Sequence, residues 1–409
     1  MTAPTPSVTA YFELESGDFF VLNDDVRGEL DNVTYLLAGD IATAVTSFVS
    51  YISINRGRSR ALDEFQPGTA TVVFRNELRT FDPTYEFSQF AGNIKPGKRL
   101  TIAAAGVTIY DGKIRDWNYG YEVGGLSTAT AEMTDALGQL GAIEFDEWTT
   151  SSQAPGLRIT AVLNRNEVLF GSNRDIDDGV ETLQADAVSW GSNVLNYLQL
   201  VARSDHGRLF ASREGLLTFR DRLATTSESF GVTFTDDGGD IPFTGVALEY
   251  GSEFLYNRVG IDREGGTLQT VEDDDSIAEY GVSTLSITGL LLDTDAQSLA
   301  LAEYLLGIYK QPELRVSEVT VALHDDQITD DQKADVLALE IGDVVRVWYT
   351  PNDVGAPLVR YGIVEGLRHD LAPAQHTVTV SLSDAGQRSF FIFDDDIFGE
   401  FDGVGAFAF

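Results

Sequence analysis

The chain has 409 residues, 43% of them hydrophobic and 11% aromatic, enough for the cores of two to four domains and too apolar for a disordered polymer. It contains no cysteine, which excludes disulfides, thiolate metal sites and cysteine nucleophiles. With 28 basic against 64 acidic residues the formal net charge is −36, so a phosphate-binding basic face has little to be built from.

In chain order, the N-terminal third reads as β. Ala10–Leu22 and Val33–Leu37 carry strand-like residues, and Thr69–Phe74 is a β-branched run bounded by Pro67-Gly68 and Arg75-Asn76. Pro96-Gly97 suits a type II turn, and Thr108–Asp116 reads as a hairpin turning at Asp111-Gly112. Ser192–Ala202 has helical spacing with Ser192 or Asn193 as its cap, and Gly207–Asp221 reads as a hairpin around Arg213-Glu214-Gly215. Strand signals resume at Gly245–Tyr250 and Asn257–Asp262. A helix is predicted over Asp295–Lys310, capped by Asp293 or Thr294, with Leu299, Ala302, Leu306 and Tyr309 on its buried stripe. Further strands run from Glu318–Leu323 onward. The expected division is a β-domain over 1–140, a mixed α+β insert over 141–244, a second β-domain with one helix over 245–389, and an aromatic tail over 390–409. No basic N-terminal segment leads into an apolar run and no stretch approaches the roughly 20 apolar residues of a membrane span, so a soluble chain without a membrane span is expected.

The two β-domains share a pattern. The runs PGKRLTI, YDGKIRDWN and TATAEMTDALG (Pro96–Gly138) return in the same order as IGDVVRV, YGIVEGLRH and TVTVSLSDAG (Ile341–Gly386). Pairing Gly97 with Gly342, Gly112 with Gly362 and Asp135 with Asp384 gives offsets of 245, 250 and 249, so only loop lengths differ. Three matched strands in the same order indicate a duplicated β-module.

The stretch DEFQPGTATVVFRNELRTFDPTYEFSQFAGNIKPGKRLTIAA (Asp63–Ala104) resembles the minor tail or tail-tip hub proteins of siphophages, in its Phe-Asp-Pro and its Asn-x-x-Pro-Gly before a strand. His206–Arg222, Tyr256–Ile261, Ser276–Gly281, Leu339–Val347 and the closing FIFDDDIFGEFDGVGAFAF are similar to that family in the same order; the heavier acidity here departs from it. The resemblance implies a mainly β fold with two tail-tube-like β-barrel modules per subunit and a smaller α+β insert, assembled as a homotrimeric ring with pseudo-six-fold symmetry at the distal end of the tail tube. It also implies partners: the tail tube or distal tail protein above, tip or receptor-binding proteins below, and the tape measure protein and DNA in the lumen without specific DNA binding. The acidity then has two readings, a lumen that repels DNA and a host adapted to high salt or high GC content. A receptor- or carbohydrate-binding tail adhesin is the alternative role.

No catalytic, cofactor or metal site is expected. The four histidines, at 206, 324, 369 and 376, have no G-x-S-x-G elbow to work with and read as structural or solvent-exposed. Asp236–Asp240, Asp273–Asp275 and Asp394–Asp396 lack the ligand spacing of a calcium loop and read as solvated loops. The one local feature singled out is the C-terminal set Phe390, Phe391, Phe393, Phe398, Phe401, Phe407 and Phe409, expected to dock on a neighbouring subunit or a distal tip protein, or else to fold back on its own domain.

Overall fold

A computed structural model describes residues 3–13, 40–123, 125–224 and 231–385. The first module contains β1 (Pro6–Glu13), β2 (Asp40–Ala44), β3 (Val49–Gly57), β4 (Gln66–Arg75), β5 (Arg99–Ala104), β6 (Val107–Gly120) and β7 (Thr128–Thr134). An insert follows, with α1 (Ala136–Leu140), β8 (Trp148–Thr149), α2 (Pro155–Leu163), β9 (Arg174–Ile176), β10 (Ala187–Val188), α3 (Val194–Asp205), β11 (Arg208–Ala211) and β12 (Leu217–Arg220). The second module opens with β13 (Val232–Thr235), β14 (Ile241–Pro242) and β15 (Gly245–Glu249). It is interrupted by its own small α+β unit of β16 (Arg258–Arg263), β17 (Gln269–Glu272), α4 (Asp274–Tyr280), β18 (Thr284–Leu290) and α5 (Asp295–Tyr309). It closes with β19 (Arg315–Ala322), α6 (Asp330–Ala338), β20 (Val344–Tyr349), β21 (Leu358–Ala372) and β22 (Gln375–Asp384).

The duplication extends well past three strands. The first module runs β1-β5-β6-β7-β4-β3 and the second β13-β20-β21-β22-β19-β15, the same permutation of six strands in chain order. The registers coincide. Arg99 faces Lys113 and Val344 faces Ile363; Met133 faces Ile114 and Leu382 faces Val364. Each copy carries a β-bulge at the same place, beside Arg115 and beside Glu365. Gly97 and Gly342 both take a left-handed φ, +85° and +99°, and donate to the equivalent carbonyls of Ile114 and Val364. One difference is at the outer strand, where β1 joins β5 antiparallel and β13 joins β20 parallel.

Both modules form one 14-stranded sheet because β21 pairs antiparallel with β3. The alternating buried faces of β4, β7, β19 and β22 share one core, in which Val72, Phe74, Ala131, Val319 and Val380 lie. Two satellite cores sit under the insert, around Leu137, Leu198 and Phe219, and between α5 and β16, around Ile261 and Leu305. No helix among the described residues is long and apolar enough to cross a membrane.

Several expectations need correction. Asp111-Gly112 is not a turn but the middle of β6; the chain reverses at Ala105-Gly106, both at positive φ as a type I′ turn requires. Gly112 is there because a Cβ would stand 2.6 Å from the Thr134 carbonyl oxygen. Pro67-Gly68 lies inside β4 rather than bounding it. β13 falls within 141–244 yet pairs with β20, so it belongs to the second module, which holds three helices rather than one. The α5 stripe is Leu301, Ala302, Leu305 and Tyr309, with Leu299 facing outward. Among the described residues no strand pairing closes either module into a barrel.

Candidate assembly surfaces and the charged junction

The two modules touch where β21 passes β3, with Gly366–Leu371 paired to Gly57–Ile52. The backbones cross too closely for side chains. A Cβ on Gly57, whose φ is +87°, would stand 2.2 Å from the Glu365 carbonyl oxygen, and one on Gly366 would stand 2.5 Å from that of Arg58. Beside this crossing the bulge turns the Glu365 carboxylate inward, where it is 1% exposed. Arg58 Nε donates to its Oε2 at 2.7 Å, Ser383 Oγ donates to its Oε1 at 2.7 Å, and Arg208 approaches to 3.8 Å. Burial alone would push this carboxyl up, but the Arg58 and Arg208 guanidiniums and the Ser383 hydroxyl together hold it below the ordinary glutamate value. Two residues back along β3, Arg56 Nη1 donates to Glu340 Oε1 at 2.8 Å, and the Arg213 backbone N–H donates to Oε2 at 2.7 Å. β3, β21 and the β11–β12 hairpin are thereby locked at one point. A cavity of about 330 Å³ opens there, lined in part by Arg58, Arg208, Arg315, Tyr309 and Glu365.

Three of the histidines gather on the far side of the same crossing. His369 Nδ1 lies 3.2 Å from His376 Nε2, and His324 Nδ1 lies 3.3 Å from the His376 carbonyl oxygen. Burial pushes the His369 imidazole well down and the His376 imidazole down to about 4, so both are neutral at pH 7. Both rings are buried, at 2% and 0% exposure. His206 is the left-handed C-cap of α3, at φ 54°.

The loop between β4 and β5 presents two large apolar side chains to solvent, Leu78 and Phe87. Asp82 anchors it by accepting from Thr84 N at 2.8 Å, Arg79 Nε at 2.8 Å and Tyr121 Oη at 2.9 Å. Below it Phe74 and Phe81 stack at 4.4 Å, continuing through Trp117, Tyr119 and Tyr121. This fixed base holds Leu78 and Phe87 out in solvent at 81% and 84% exposure, an arrangement suited to docking another chain.

The C-terminal set from Phe390 to Phe409 lies outside the described residues. Of the acidic runs, Asp273 caps α4 and pairs with Lys310 at 3.0 Å, while Asp236 accepts from Thr350 N at 2.7 Å. Among the described residues no cluster of three metal-ligating side chains occurs. The junction residues Arg56, Arg58, Glu340 and Glu365 were missed from sequence. The available signal was that Glu340 and Glu365 stand where the other copy has Lys95 and Arg115, a change of charge sign inside a repeat.

No protein-family model matches the chain, and no curated protein matches it. Solved structures do. A 43 kDa tail protein of prophage MuSo2 from Shewanella oneidensis aligns with a TM-score of 0.57 at 16% identity, covering 85% of this chain and 97% of that one. A tail protein from Neisseria meningitidis aligns at 0.60 and 13% identity, covering 94% and 97%. An Escherichia coli component of the type VI secretion system, described as structurally similar to the T4 bacteriophage tail proteins gp27 and gp5, aligns at 0.50 and 10%, covering 83% and 74%. The chain is mainly β with a smaller α+β insert, and its fold is that of these phage tail proteins and of the type VI secretion component.

Proposed function

We propose that the chain is a structural virion protein, a tail-tip hub that ends the tail tube as a ring of three copies and catalyses no reaction. The observation that carries this reading is the six-strand duplication, register for register, inside a phage-tail fold. Two equivalent modules per chain let three chains present six similar units to a six-fold tube. The tube or distal tail protein binds above, tip or receptor-binding proteins below, and the tape measure protein and DNA occupy the lumen. A net charge of −36 suits a lumen that DNA crosses without sticking. The exposed Leu78 and Phe87, and the aromatic segment 390–409, supply contacts to neighbouring chains.

Native mass spectrometry of the purified chain tests the ring. A species of three chains is expected, and a dimer or a monomer at every concentration refutes it. Binding to host envelope material by an isolated monomer would instead favour the adhesin role.

A further inference from the structure

Each module is built to make the contact that joins them, but within one chain that contact forms only once. β21 runs past the end of β20, and the half it leaves free, Gly366–Leu371, is taken by β3. β6 runs past the end of β5 in the same way. Its half Asp116–Gly120 pairs with β7 on one side, and among the described residues no strand lies on the other. The offset of 250 makes these two halves counterparts. The strand that fills the gap in the second module, β3, is the second of six in the first module. Its counterpart is β15, which pairs with β19 alone. One open edge and one open strand remain, and such edges are templates for pairing with another chain.

The charges at these places are complementary. The acidic corner that meets Arg56 and Arg58 is built by Glu340, Asp343 and Glu365; at the equivalent corner of the first module stand Lys95, Lys98 and Arg115. Following the ladders outward from the shared register puts Leu248 at the place of Asn55 and Glu249 at the place of Arg56. Lys95 and Glu249 are both exposed. The two contacts share their register and exchange their charges, but the close glycine crossing is made only once: Gly57 and Gly366 have Tyr250 and Asp116 as counterparts, so the second contact lies along β15 itself, beyond that crossing.

We propose that β15 of one copy pairs antiparallel with Asp116–Gly120 of the next copy, with Glu249 against Lys95 where the chain itself sets Arg56 against Glu340. This rests on the ring reading and names the contact that forms it. The contact is head-to-tail rather than self-complementary, so repeating it joins successive copies in one direction, and in the ring of three it links all six modules.

The absence of native cysteine gives a clean test. Asn118 and Leu248 are the counterparts of the paired Arg368 and Asn55, so N118C and L248C chains are mixed and mildly oxidised. Disulfide-linked pairs are expected in the mixture and in neither variant alone. Cross-linking within one single variant overturns the proposal, because it shows a self-complementary contact. An oligomer by sedimentation that does not cross-link in the mixture overturns the contact and leaves the ring standing; a chain that stays monomeric overturns both. A second measurement covers variants that fold poorly. K95E and E249K should each weaken self-association by about ten-fold or more, and the double variant should recover to within about three-fold of the native chain. A double variant as weak as the product of the singles overturns the pairing.

Discussion

Replacing Glu365 by Gln tests whether the junction holds the two modules together. The native carboxylate is 1% exposed and faces Arg58 at 2.7 Å and Arg208 at 3.8 Å. At an effective dielectric near 20, unit charges at those separations attract by about 6 and about 4 kcal/mol before the cost of desolvation is subtracted. Most of that gross attraction repays burial, so the pair itself adds little. Removing the carboxylate alone leaves both buried guanidiniums facing a neutral group, a loss of about 3–5 kcal/mol. Gln keeps the shape and can still accept from Ser383, so the loss reports charge rather than a cavity. Urea unfolding at pH 7 is the assay, read from Trp117 in the first module, Trp348 in the second, and Trp148 and Trp190 in the insert, with single-Trp versions separating the units. The two module signals should move to lower urea, and should separate from one another. The pH dependence has a definite sign: the Glu365 pKa is lower folded than its ordinary 4.5, so its contribution is present above that value and lost as pH falls through the folded pKa. E365Q should lack this acid limb. A variant within about 1 kcal/mol of the native chain at pH 7 would falsify the junction as described.

Three further outcomes are expected. Gly57→Ala places a Cβ against the Glu365 carbonyl oxygen at a φ of +87°, and should cost roughly 3 kcal/mol in urea unfolding, whereas the open Gly92→Ala should cost only its backbone strain. The His369 and His376 imidazoles titrate lower folded than unfolded, with Arg56, Asp370 and His324 around them, so stability should fall as pH drops below 6.5. His376 alone, held down to about 4, accounts for about 3 kcal/mol of that fall, and H369Q/H376Q should flatten the pH 6.5–4 limb; an unchanged limb contradicts the neutral pair. Deleting 390–409 should leave a chain with native circular dichroism and melting that no longer assembles; loss of folding contradicts the docking role of the seven phenylalanines.

The sequence exposed the inner three strands of each module because their turns and alternation survive as residues: Gly97 and Gly342 are needed for positive φ, and the bulges fall at fixed distances from them. The outer strands escaped notice. β3 and β15, or β4 and β19, share a place in the ladder but not a residue pattern, since backbone hydrogen bonds set the pairing and many side chains satisfy it. The unit from β16 to α5 also splits the second copy between β15 and β19, which hides the equivalence. Asp111-Gly112 misled because Asp-Gly favours type I′ turns, while the true turn begins with Ala105, a residue that pays strain for φ of 48°. Helix α2 announces itself only by Pro155 at its first position, and α6 by the Thr329/Gln332 capping box. The partners of the charged junction lie 284 and 307 residues apart, Arg56 with Glu340 and Arg58 with Glu365, so the charge reversal inside the repeat marks one side of the junction but not the arginines that meet it.

The most direct measurement is the position of this chain on intact particles that carry it, by gold-labelled antibody in electron microscopy. Label confined to the tail tip is the expected result. Label on the capsid, along the whole tube, or on no particle would contradict the hub reading.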